Sequence, residues 1–220
     1  YFNTVQIWGK IPVTRKLSIY GSIPFQFHSK KTLQGDISIS GIGDASIMGI
    51  YELLKSKNSF HQINAGLGVK IPLGKFDEKG ITGVNPSFQL GTGSWDYQLA
   101  MNYKFQKDRF AMLINTDYTI KTENKKHYQF GDQWNYSATA FYRLWNSTQS
   151  VLSGKIGLQG EVFDCNRQFS EVMPKTAGSA LYGKAGFEVS FSKLSLGTEL
   201  MLPAYTNLAG GDIEAKSRFS

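Results

Sequence analysis

The feature that most narrows the fold is a strict alternation of large apolar and polar side chains, sustained through several long runs. Between Phe110 and Ile120, the residues Phe110, Met112, Ile114, Thr116, Tyr118 and Ile120 fall on one side, and Asn115, Asp117 and Thr119 on the other. Successive side chains of a strand point to opposite faces, so period two keeps the two sets apart where a helix would mix them. The same dyad runs through Trp95, Tyr97, Leu99, Met101, Tyr103 and Phe105 against Asp96, Gln98, Asn102 and Lys104. It returns in Ile63 to Ile71 and in Leu181 to Phe191.

Extended along the chain, this pattern predicts eleven strands, near 2–13, 17–28, 42–54, 60–72, 94–105, 110–121, 133–145, 150–163, 179–191, 194–203 and 212–220. No helical pattern separates them. Short connections near 14–16, 55–59, 106–109, 146–149 and 192–193 alternate with long ones near 29–41, 73–93, 122–132, 164–178 and 204–211. The expectation is one domain over 1–220, a single sheet wound up and down. Composition agrees: aromatics are 14% of the chain, charged residues 19%, and prolines number 6.

A soluble barrel and an outer-membrane barrel share such a meander and differ in which solvent meets the apolar face. Strands of about ten residues match the 9–11 needed to cross a bilayer at a tilt. A barrel of this many strands also encloses more space than side chains fill, which suits a polar, wet interior. Trp95, Trp134 and Trp145 sit near strand ends, where interfacial aromatic girdles lie. The fold class expected is therefore all-β, a transmembrane antiparallel up-and-down β-barrel in the bacterial outer membrane. Closed barrels of this kind have an even strand count, so about twelve strands are expected, with part of one or both ends missing from the eleven seen.

The face opposite the apolar one collects Asp44, Glu52, Lys70, Asp96, Lys104, Asp117, Arg143, Lys155, Glu161, Lys184, Glu188 and Glu199. Charges of both signs on consecutive strands would line a water-filled passage and bias which solutes pass, or pair across strands as a plug. Tyr20, Phe141 and Tyr182 share that side and offer weak apolar contacts. The formal net charge is +7, but the charges are scattered singly, which argues against nucleic acid. One cysteine, Cys165, excludes an intramolecular disulfide. His28, His61 and His127 lack metal-site spacing, the glycine pairs lack a phosphate-binding context, and His127, Asn124 and Ser137 form a hydrolase set by residue type alone. No catalytic residue, metal or cofactor is expected.

Three ordered stretches carry a resemblance: Gly41-Ile42-Gly43-Asp44-Ala45, Gly66 through Gly74 (GLGVKIPLG), and Leu90 through Tyr97 (LGTGSWDY). The set resembles the transporter family of the meta-pathway of phenol degradation. That resemblance implies an outer-membrane barrel without catalytic residues, passing small, hydrophobic or aromatic molecules. The partners expected are outer-membrane lipids, a small-molecule solute and other outer-membrane proteins. The competing reading is a non-conducting barrel that serves as a scaffold or accessory subunit.

Overall fold

Residues 2–32, 35–58, 60–76, 79–80, 83–84, 88–191, 194–211 and 215–220 are described by a computed structural model. One antiparallel sheet dominates it: β1 (Phe2–Pro12), β2 (Leu17–Thr32), β3 (Gly35–Ile42), β4 (Ala45–Lys55), β5 (His61–Ile71), β6 (Asp96–Lys107), β7 (Phe110–Ile120), β8 (Gln133–Asn146), β9 (Ser150–Phe163), β10 (Gly178–Phe191), β11 (Ser195–Leu208) and β12 (Arg218–Phe219). Each strand pairs with its neighbour in sequence, except that β2 takes two partners on one edge. Its first half pairs with β4, from Leu17↔Tyr51 to Ser22↔Ser46, and its second half with β3, from Phe25↔Ile42 to Thr32↔Gly35. The twelve strands thus occupy eleven positions across the sheet. Among the described residues, β1 pairs with β2 alone and β12 with β11 alone.

Register settles which residues share a face. Ladder partners Val69↔Tyr97, Tyr97↔Ile120, Leu67↔Leu99, Leu99↔Tyr118 and Tyr118↔Trp134 chain the apolar residues of β5 to β8 on one side. That side is the more exposed: Leu67 is 70% accessible, Tyr97 55% and Ile156 67%. The opposite, inner face carries Gln62, Asn64, Lys70, Gln98, Asn102, Asn115 and Asp117, all half-buried or buried. Apolar residues open to solvent around polar ones in the interior is the inversion expected of a barrel bathed in lipid.

Along β3 the polarity turns over before Ile42, while its partner β2 still carries Phe27 outside and His28 inside. On β3, Asp36, Ser38 and Ser40 are exposed, while Ile37 and Ile39 are half-buried on the face that carries His28. Of the loop expected at 29–41, residues 29–32 continue β2 and residues 35–41 belong to β3, while 33–34 lie outside the described residues. In DISISGI, Ile37 and Ile39 point inward and Ile42 outward, so the first two do not match the outward-apolar phase of the other strands. Phe76, Phe88, Leu90 and Tyr128 are buried here, from the connections after β5 and β7. Phe88 lies 5.9 Å from the His28 ring, and Phe76 packs edge-on to Phe130 at 5.8 Å. We call this region the cap.

Other connections differ in detail from their expected extent. Residues 73–93 include a small hairpin, Lys79–Gly80 with Gly83–Val84, and residues 164–178 another, Arg167–Gln168 with Glu171–Val172. β11 runs on to Leu208, through most of the expected 204–211 loop. Of the strand expected at 212–220 only Arg218–Phe219 is extended and paired; residues 212–214, like the turn at 192–193, lie outside the described residues.

Candidate functional site

The inner face holds three groups of polar side chains, and the first sits where the strands meet the cap. Asp44 falls in the break between β3 and β4, Lys70 near the end of β5, Asp96 at the start of β6 and Lys121 just past β7. Antiparallel neighbours bring those four positions to one end of the sheet. Lys70 Nζ lies 2.5 Å from Asp96 Oδ2 and 3.2 Å from Asp44 Oδ2, and Lys121 Nζ lies 3.6 Å from Asp96 Oδ2. Asp96 is fully buried. Its other oxygen accepts hydrogen bonds from Ser94 Oγ at 2.9 Å and from the Thr122 amide at 3.1 Å.

Asp44 closes the base of the connection between β5 and β6. Its carboxylate accepts from the Gly74 amide at 3.0 Å, the Thr92 amide at 2.8 Å and Thr92 Oγ1 at 2.9 Å, so one side chain ties both ends of that segment. The approach demands glycine: a Cβ at Gly91 would collide with Asp44 Oδ1 and the Gly74 carbonyl. Charges taken this far from water survive only when paired and hydrogen-bonded, and here two lysines face two aspartates. Burial, with Lys70 beside it, still holds the Lys121 ammonium down to a pKa of about 8, against the opposing pull of Asp96.

The second group is a belt of amides along the middle strands. Gln62 Nε2 donates to Glu52 Oε2 at 3.1 Å and to Asn64 Oδ1 at 3.0 Å; Asn64 Nδ2 donates to Asn102 Oδ1 at 2.6 Å. Asn115 Nδ2 donates to Ser137 Oγ at 3.3 Å, and Asn135 Nδ2 to Asp117 Oδ2 at 2.7 Å. Beside the belt lies a cavity of about 390 Å³, walled by Tyr20, Met48 and Ile50 on one side and Gln98, Asn102 and Asn115 on the other.

The third group lies on β9 to β12. Glu199 takes Lys155 at 3.3 Å and Lys184 at 3.8 Å. Glu161 pairs with Arg218, whose guanidinium stacks 4.5 Å over the buried Tyr182 ring. Glu188 Oε1 accepts from Ser190 Oγ at 3.1 Å.

Register places Glu52, Lys70, Asp96, Lys104, Asp117, Arg143, Lys155, Glu161, Lys184, Glu188 and Glu199 on the inner face, with Asp44 at its cap end. They do not form one lining. Lys104 stands exposed towards the short turns, opposite Gln62 and Leu113, and Arg143 opposite Ser153. Trp95, Trp134 and Trp145 are 55%, 45% and 64% accessible, the first two at the cap end of their strands and the third at the other end.

Sequence reasoning passed over Lys121, although the strand expected at 110–121 puts it in phase with Asp117 and Thr119, and the amides, because they carry no charge. A run of Asn and Gln at inward-phase positions was the available signal. It also passed over Trp8, on the inner register opposite Ser22 and 6.2 Å from the Tyr20 ring. The residues of the hydrolase set go separate ways: His127 Nδ1 meets Glu123 Oε1 at 2.6 Å, Asn124 donates to the Thr92 carbonyl at 2.9 Å, and Ser137 serves Asn115. Among the described residues, no three His, Cys, Asp or Glu side chains come together as a metal site.

Comparisons with known proteins place this geometry. The crystal structure of an outer membrane channel from Pseudomonas putida F1 superposes with a TM-score of 0.73 at 13% identity, over 99% of this chain and 79% of that one. At that identity the likeness establishes the fold. No curated protein sequence matches the chain. A family profile does, over residues 2–201: the chain is a member of the family described as "Putative MetA-pathway of phenol degradation".

Proposed function

We propose that this protein is a bacterial outer-membrane channel for the passive passage of small molecules, with lipid on its apolar face and solute along its polar one. The observation that carries the reading is the inverted sidedness of the sheet, with exposed Leu67, Tyr97 and Ile156 outside and a half-buried polar face around an open cavity inside. No step of such passage needs a cofactor or a covalent intermediate. The inner charges Glu52, Asp117, Lys155, Lys184, Glu188 and Glu199 set the local ion concentration, while Asp44, Lys70 and Asp96 hold the mouth in shape. Trp95, Trp134 and Trp145 anchor the barrel at the two membrane interfaces.

The cap favours a second reading, a closed barrel that docks another outer-membrane protein, since Phe76, Phe88 and Leu90 are buried together at the cap end. Planar-bilayer recording separates the two. Discrete conductance steps from purified, refolded protein support the channel; a correctly folded, heat-modifiable barrel that gives no steps at any voltage overturns it in favour of the scaffold.

A further inference from the structure

The unpaired charge of the inner face lies at the short turns. At the cap two lysines face two aspartates, and on β9 to β12 Glu199 and Glu161 take Lys155, Lys184 and Arg218. At the other end no such balance holds. Lys55 on β4 and Lys104 on β6 both stand opposite Gln62, one from either side, in the inner register and exposed. Arg109 and Arg143 are direct neighbours: the Arg143 amide donates to the Arg109 carbonyl at 2.9 Å, which continues the β7–β8 ladder in the inner phase. None of these four side chains has an ion-pair or hydrogen-bond partner among the described residues. The carboxylates nearby do not serve them. Glu52 accepts from Gln62 and Glu188 from Ser190, and Asp108, in the turn ahead of Arg109, pairs with no described cation.

Residues directly opposite each other on paired strands hold their Cβ atoms about 5 Å apart, and like charges at that spacing repel. A guanidinium cannot shed its proton to escape, and it offers a fixed fork of N–H donors that matches a carboxylate or a phosphate. An anion between Arg109 and Arg143 removes the repulsion and gains charge-assisted hydrogen bonds; a neutral solute does neither. Lys55 and Lys104, with Lys57 and Lys107 exposed on the turns, add positive potential over the same mouth. We infer that the short-turn mouth binds a compact multivalent oxyanion, a phosphate or a small polycarboxylate, gripped by Arg109 and Arg143 and drawn in by Lys55 and Lys104. The site goes beyond the channel reading and does not rest on conduction, since a closed barrel would carry it equally.

The test uses the full chain, refolded in a zwitterionic detergent and labelled with nitrogen-15 arginine, so that each guanidinium Nε–H gives its own signal. Inorganic phosphate and citrate are titrated in turn, with sodium chloride holding the ionic strength constant. The Arg109 and Arg143 signals should shift saturably, while Arg167, on the cap hairpin, stays at its baseline. Saturation by phosphate, by citrate or by both supports the site and tells which oxyanion it takes. Arg143→Gln should raise the half-saturating concentration read at Arg109 about tenfold or more, the worth of one charge-assisted hydrogen bond. Lys104→Gln, on an exposed side chain, should raise it about two- to fivefold, and serves alone if semi-native gels show that Arg143→Gln does not fold. No saturable shift at Arg109 and Arg143, an equal shift at Arg167, or an undiminished response in every folded variant would each overturn the assignment. Conductance recorded on the same protein keeps the two proposals apart: steps with silent arginines sink the site and leave the channel standing, whereas responsive arginines without steps do the reverse.

Discussion

Two regions of one continuous sheet are built with opposite polarity, and the transition falls within single strands. In the band spanned by β4 to β11, apolar side chains face out and amides and charges face in; on β3, a few residues further along the same edge, Ser38 and Ser40 face out and Ile37 and Ile39 in. Of the apolar core residues, Phe76, Phe88, Leu90 and Tyr128 belong to the cap, and the band contributes Ala45, Ala180 and Tyr182. The cap therefore buries hydrophobic surface as a water-soluble domain does, and the band leaves it for lipid to cover. Between them sits the Asp44–Lys70–Asp96–Lys121 group, where neither water nor lipid can neutralise the charges. Strand alternation alone does not define inside and outside; the solvent at each height of the wall does.

The comparison breaks most readily at that junction. Asp96→Ala would strand Lys70 and Lys121 without their shared counter-charge, and a buried pair that loses one partner costs about 3–5 kcal/mol. The heat-modifiability midpoint on semi-native gels should fall accordingly, and an unchanged midpoint would mean that water reaches the junction freely. Next in size is the contrast between the two outer faces. Leu67→Arg in the band should cost about 2–4 kcal/mol in a bilayer. Ser38→Arg, outward on the cap, should stay within about 0.5 kcal/mol. Equal penalties for the two would erase the distinction between lipid-facing and water-facing wall.

A smaller effect follows from Lys121. Its pKa in the folded protein, about 8, lies below the ordinary 10.5, so the unfolded chain holds the proton more tightly. Below pH 8 folding bears the full cost of burying the ammonium; between pH 8 and 10.5 that cost is relieved, and above 10.5 it is gone. Stability should rise through that window by at most about 1.4 kcal/mol per pH unit, the worth of one proton. Lys121→Met should flatten the slope, and a wild-type slope that survives the substitution would assign it to another group. A small stability effect also belongs to the β9–β12 wall. Lys184→Gln leaves Glu199 its second partner, Lys155, so stability should change by less than about 1 kcal/mol. Removing the fixed positive charge should nonetheless move the reversal potential in a salt gradient toward cations, an effect that Lys70→Gln at the cap should reproduce only together with a loss of stability.

Much of the band was legible in the amino-acid order. Phe110 to Ile120 and Trp95 to Phe105 separate their polar and apolar sets so cleanly that strand, register and outer face follow from the pleat alone. The inward phase of Lys70, Asp96, Lys155 and Glu199 follows in the same way. Their grouping does not, because parity within a strand says nothing about height along the barrel. Lys70, Lys104 and Lys184 look equivalent by phase, yet one is locked between two aspartates at the cap, one is exposed toward the short turns and one shares a glutamate on the far wall.

The cap lay beyond such reasoning. DISISGI reads as loop or strand with either face buried, and only the folding of residues 72–76 and 88–95 against it decides which. The glycine-rich stretches around Asp44, Gly74 and Gly91 are distinctive as a series, but their purpose appears only when three connections meet and one carboxylate accepts amides from both ends of a segment. Local sequence specifies what is local: the pleat, the alternation, the turn. Which charges neutralise one another, and which apolar face meets protein rather than lipid, depends on residues tens of positions apart arriving at the same height, and that is set by strand register across the whole sheet.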